Sequence, residues 1–113
     1  MKRKTALSSG EELLAQHLVC YQIEYLREVA LIPGRRWRWD FVVGDLAIEV
    51  QGQVWHKGGH TSGYGVTRDA QKINAAVLAG YRPLCFTTQM VESGEAIDTI
   101  LSAKKDGSYP LHQ

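Results

Sequence analysis

The chain reads as an α/β domain: a mixed sheet flanked by helices, in the order αβββαβα. Three observations predict this. Two short β-type runs, Trp37–Val43 and Leu46–Gln51, are joined by Gly44-Asp45, a two-residue hairpin signal. Helix-period stretches stand before and after that hairpin. Near the end a strand, a helix and a strand follow one another, which implies a right-handed crossover and hence a sheet with helices on its faces.

The first helix is expected over Ser8–Tyr21. Ser8 or Ser9 can cap it, Glu11 or Glu12 stands where a capping box places an acid, and Leu13, Leu14, His17, Leu18 and Tyr21 form one face. Glu11 and Glu12 also suit a first turn merely as acids favoured by the helix dipole. From Gln22 to Ile32 the residues alternate as in a strand, and Pro33-Gly34 stops it. After the hairpin comes a loop with five glycines between Gly52 and Gly65. A helix is then expected over about Thr67–Ala79, with Ala70, Ile73, Val77 and Leu78 inward and Gly80 as its stop. Arg82–Thr88 is a further apolar strand, and Ser93–Ala103 a last helix.

The 113 residues suit a single domain, 1–113, with its core over about 8–103. No run approaches the roughly 18 apolar residues of a membrane span, and the basic start lacks the apolar stretch of a signal peptide. Cys20 and Cys85 have no CxxC partner. Cys85, between Leu84 and Phe86, reads as a small core residue in a reducing compartment. A net charge of +1 excludes the overall basic signature of a passive nucleic-acid binder. Basic residues are instead clustered, as Lys2, Arg3 and Lys4 and as Arg35, Arg36 and Arg38 beside the hairpin.

Each hairpin strand carries one carboxylate within apolar sequence, Asp40 between Trp39 and Phe41, and Glu49 between Ile48 and Val50. An acid in a buried strand is costly unless paired or holding a metal, so the two together form a candidate metal site. Alternation puts Gln51 on the face of Glu49. Two carboxylates and a backbone carbonyl suit a hard divalent cation such as magnesium. The plainer alternative is a pair of edge-strand acids facing water. His56 and His60 are spaced H-x3-H in a glycine loop, a setting better suited to phosphate contact or proton transfer than to structural zinc. Gly63-Tyr64-Gly65 is a lone G-x-G, a weak nucleotide signal. Arg68 and Lys72, four residues apart on one helix face, could meet a phosphate or the carboxylates, or form an ordinary solvated face.

Taken together, a helix with an N-terminal Glu, W-R-W-D-F, A-I-E-V-Q-G, a His/Gly loop, R-D-x-x-K-x-N-A-A and G-Y-R-P-L-C-F-T resemble the PD-(D/E)XK nuclease superfamily over roughly Gly10 to Val91. The likeness is to its small stand-alone phage and bacterial members, related to VRR-NUC and very-short-patch-repair-like enzymes. The resemblance implies a restriction-endonuclease-like core and a Mg2+-dependent endodeoxyribonuclease, with Mn2+ able to substitute. Asp40 and Glu49 match the metal-binding acids, the Val50 carbonyl the third ligand, and Glu11 (or Glu12 in the other register) the helix acid. Gln51 falls where the family has lysine. Glutamine can orient water but supplies neither a base nor positive charge, so Lys72 or His56 is the candidate source of charge. Arg35, Arg36, Arg38, His56, Lys57, His60 and Arg68 would contact DNA.

The implied setting is the cytoplasm of a bacterial or phage-infected cell, with a homodimer as the expected assembly. Trp37, Trp39, Trp55 and Tyr64 exceed what a core this small needs to bury, which favours the same assembly. The DNA structure attacked (junction, flap, mismatch or nick) is not encoded legibly. A non-catalytic nucleic-acid-binding module on the same fold is the alternative from another class, and a nucleotide-binding regulator using the glycine loop is a further one.

Overall fold

In the computed structural model, the residues described are 9–51 and 63–105. Expectations for the basic N-terminal cluster, the Ser8 cap, Trp55, His56, Lys57 and His60 lie outside them. Helix α1 spans Ser9–Cys20. Its inner face is Leu14, Ala15 and Leu18, all buried. It ends where Gln22 takes a left-handed conformation (φ 56°) and the Ile23 amide bonds back to the Leu18 carbonyl at 2.9 Å, a geometry that satisfies an otherwise orphaned carbonyl. Tyr21, expected on the inner face, is exposed beyond that end.

Strand β1 is Leu26–Val29, β2 Trp39–Val43 and β3 Leu46–Gln51. The first is much shorter than its alternating stretch suggested. The turn at Gln22 delays its start, and Glu28 sits at φ 53°, outside strand geometry. β1 pairs antiparallel with β2, and β2 with β3 through Gly44 at φ 59°. Helix α2, Gly63–Leu78, then crosses over to β4, Arg82–Thr87, which runs parallel to β3. The sheet is therefore mixed, in the order β1-β2-β3-β4.

Arg82 locks the crossover. Its amide bonds to the Asp45 carbonyl at 2.8 Å and its guanidinium forks onto the Asp45 carboxylate at 3.0 and 2.9 Å, the paired-donor geometry that arginine alone offers. The last helix expected from the sequence is present, and a short helix that was not expected precedes it. Thr87 leaves the sheet and caps α3, Thr88–Ser93, accepting from the Met90 amide at 3.2 Å, and Gly94 (φ 91°) separates α3 from α4, Glu95–Lys105.

One sheet face carries most of the core: Phe41, Val43, Leu46, Ile48 and Phe86 pack against Leu14, Leu18, Val91, Ile97 and Ile100 from α1, α3 and α4. The other face holds a small cluster of Trp39, Val42, Ala47 and Ala76 beneath α2. Here the inward assignment of α2 is corrected. Ala70 is exposed, and Ile73, Val77 and Leu78 are 43%, 54% and 87% exposed, while Lys72 and Ala76 turn to the sheet. Ala76 lets the helix approach Ala47 closely, and Lys72 finds a carboxylate there. Cys85 is likewise exposed rather than buried, because it faces this thinly covered side of β4. Cys20 and Cys85 are both free thiols.

Candidate metal and nucleic-acid site

Trp39 and Val42 pack together on the α2 side, whereas Phe41 and Val43 pack on the α1 side. Strict alternation is thus broken at Trp39-Asp40. At the same point β2 and β3 stop pairing, their last partners being Phe41 and Ile48. The Asp40 carboxylate fills the gap, accepting from the Val50 amide at 2.8 Å.

Asp40 there lies with Glu11 of α1 and Glu28 of β1, one carboxylate oxygen of each within 4.8 Å of the others. Burial pushes the Asp40 pKa up to about 6; the Val50 amide opposes the rise, and the charges of Glu11, Glu49 and Glu28 add to it. A carboxyl in this setting favours either a proton or a cation. Arg27 supports the group from one side. Its guanidinium donates to Glu11 at 2.9 Å and to Glu12 at 2.8 Å, and lies 5.1 Å from the Phe41 ring centre. Both acids that the sequence offered for α1 therefore hold the same arginine, and only Glu11 also reaches Asp40 and Glu28.

Glu49 lies on the other side of β3. It accepts from Lys72 Nζ, and the same ammonium donates to the Arg38 carbonyl at 2.7 Å and lies 4.5 Å from the Trp39 ring centre. Glu49, Gln51 and Lys72 line a pocket of about 110 Å³ with Trp39, Asp69, Ile73, Pro83, Leu84 and Cys85. Although Cys85 is exposed overall, partial desolvation in this pocket, then Glu49, Asp69 and Asp40, raise its pKa against the opposing charge of Lys72, which favours the protonated, weakly nucleophilic thiol.

The structure thus divides the residues singled out from sequence. Glu49, Gln51 and Lys72 share one pocket, and Asp40 joins Glu11 on the α1 side. Arg35, Arg36 and Arg38 are exposed on the segment entering β2, and Arg68 is exposed on α2. The carbonyl of Val50 belongs to the residue whose amide holds Asp40. Glu28 was missed by sequence reasoning. The only available signal was an acid in a strand that could pair opposite Asp40.

These features define a mixed α/β fold with carboxylates gathered where its central strands part. The solved catalytic domain of the homing endonuclease I-Bth0305I is similar to this chain: 22% identical, aligned over 84% of this chain and 91% of that one, with a TM-score of 0.64. At that identity the likeness establishes the shared fold. No family model and no curated protein matches the sequence. Among the described residues, no helix is long and apolar enough to cross a membrane.

Proposed function

We propose that this chain is a metal-dependent DNA endonuclease of the PD-(D/E)XK kind. The observation that carries the reading is the carboxylate trio of Glu11, Glu28 and Asp40 within 4.8 Å, set in a fold similar to an endonuclease catalytic domain. Hard carboxylate oxygens so close together fit Mg2+ or Mn2+. Asp40 would hold the ion with Glu11 and Glu28, or with Glu49 and the Val50 carbonyl as the motif order suggests.

When bound, such an ion polarises the scissile phosphate and makes water a stronger nucleophile. The chain's own groups supply the rest. Lys72 would set its ammonium against the charge that grows on the phosphate oxygens. Gln51 would orient the attacking water through its amide. Water adds to phosphorus, the bond to the 3′ oxygen breaks, and a 5′-phosphate and a 3′-hydroxyl result. Arg35, Arg36, Arg38 and Arg68 would steady the backbone, with His56, Lys57 and His60 as further candidates. A homodimer placing two sites on two strands belongs to the same reading.

One observation favours the non-catalytic binding module instead. Arg27 engages Glu11 and Lys72 engages Glu49, so internal cations already satisfy two of the acids. Plasmid nicking decides between them. Nicking that requires Mg2+, stops with EDTA and is lost in Asp40→Asn supports the enzyme, whereas DNA binding without nicking in Mg2+ or Mn2+ supports the module.

A further inference from the structure

The segment that enters the site carries a second kind of chemistry. Pro33 and Gly34 (φ 84°) form a tight turn closed by the Arg35 amide on the Ile32 carbonyl at 3.1 Å. A glycine accepts that left-handed position without strain. The chain then runs through Arg35-Arg36-Trp37-Arg38 into Trp39. The Arg35 guanidinium lies over the Trp37 ring, 4.4 Å from its centre. Two residues on, the Lys72 ammonium lies over Trp39. Lys72 also holds the Arg38 carbonyl and the Glu49 carboxylate, so the backbone immediately after the arginine-tryptophan stack is tied to the pocket wall.

Phosphate contact alone asks only for cations, and Arg36 and Arg38 supply them. It does not call for a guanidinium laid on an indole. Arginine planes and aromatic rings are, however, the surfaces on which unpaired bases stack. A base inside continuous duplex is already stacked on its neighbours and offers no free face.

We propose that Arg35 and Trp37 form a stacking platform for an unpaired base, so that the protein prefers DNA with a single-stranded tail to continuous duplex. This rests on the nucleic-acid reading above and deepens it, turning Arg35 from a phosphate contact into a base contact.

The test measures binding in EDTA, where cleavage plays no part. The probe is a duplex with a short single-stranded tail whose first unpaired base is 2-aminopurine, a fluorophore quenched by stacking; the competitor is blunt duplex of equal length. The wild-type protein should quench the probe and bind it roughly tenfold more tightly than blunt duplex, the scale of one base-aromatic stack. Trp37→Ala should lose the quench and that preference, Trp37→Phe should keep most of both, and Arg35→Lys should weaken both while keeping the charge. Equal wild-type affinity for the two DNAs without quenching overturns the platform and leaves the DNA reading standing. So does a preference that Trp37→Ala and Trp37→Phe both keep. Binding to neither DNA overturns both.

Discussion

Lys72 on α2 donates to the Glu49 carboxylate on β3 and, at 2.7 Å, to the carbonyl of Arg38 just before β2. A single ammonium thus ties the crossover helix to the strand bearing Glu49 and to the basic segment. Its helix is otherwise weakly seated, with Ala76 the one fully buried residue among those described.

That geometry makes Lys72 the group on which the mechanism is most exposed. If it supplies the positive charge that Gln51 cannot, Lys72→Ala should slow cleavage on the order of a hundredfold, the usual effect of losing one preorganised donor. DNA affinity should change little, and Gln51→Lys should restore part of the rate. Single-turnover rates alongside binding isotherms check this. Weaker binding at an unchanged rate would make Lys72 a phosphate contact only.

Asp40 should contribute a pH dependence to the stability of the metal-free protein. Its folded pKa is raised to about 6, above the roughly 3.9 of an unfolded aspartate. Between these values the folded state holds more protons than the unfolded one, so this group lowers stability as pH rises from about 4 to 6. Asp40→Asn should flatten that part of the curve and raise Tm at pH 7 while abolishing cleavage, as should Glu49→Gln for cleavage. Thermal melts in EDTA across the pH range test the first part. A Tm at pH 7 below that of the wild type would mean that the Val50 amide outweighs burial.

The hairpin, the crossover and the acids of α1 were legible because each rests on local pattern: Gly44-Asp45, helix period, first-turn carboxylates. Glu28 was not. Its place opposite Asp40 depends on the β1–β2 register, and residues 30–38 between those strands impose none that a short turn would fix. The apolar inward face assigned to α2 was wrong, although Lys72 does meet a carboxylate, one of the partners its place on the helix allowed. Hydropathy favours turning Ile73 and Val77 inward, but an ion pair with Glu49 and a close approach at Ala76 turn the helix the other way. Asp40 and Glu49 read as one site because they are acids on neighbouring strands; the chain pattern did not signal that alternation breaks at Trp39-Asp40 and brings Asp40 beside Glu11 and Glu28.

Metal binding should register in stability independently of activity. A ligand that binds only the folded state adds about 2.7 kcal/mol at a hundred times its Kd. Millimolar Mg2+ or Mn2+ should therefore raise the wild-type Tm by several degrees, and Asp40→Asn should lose that shift. An equal shift in both proteins would place the bound cation elsewhere.

The homodimer was expected from Trp37, Trp39, Trp55 and Tyr64. Trp39 is buried within its own chain, and among the described residues of α2 Val66, Ile73 and Val77 form apolar surface, 59%, 43% and 54% exposed. These are seven and four residues apart and fall on one helical face. If the dimer forms through them, light scattering at tens of micromolar, roughly where a micromolar Kd gives assembly, should report twice the monomer mass, and Ile73→Glu should halve it. A wild-type monomer at that concentration excludes the dimer.

Gly10 decides how closely α1 can bring Glu11 to Asp40. A Cβ at Gly10 would stand 2.6 Å from Thr88 Oγ1 and 3.2 Å from Val50 Cγ1, closer than ordinary packing allows. Gly10→Ala must therefore push the start of α1 away from β3 and α3, with an overpacking cost of about 1–3 kcal/mol. Because Glu11 is the next residue, the displacement should also weaken metal binding and slow cleavage more than the lost stability alone explains. Thr88→Ala removes the nearer obstacle, so the double variant should recover part of both Tm and metal affinity. Were Gly10→Ala to lower Tm while leaving the Mn2+ affinity of the folded protein unchanged, Glu11 would not be a ligand.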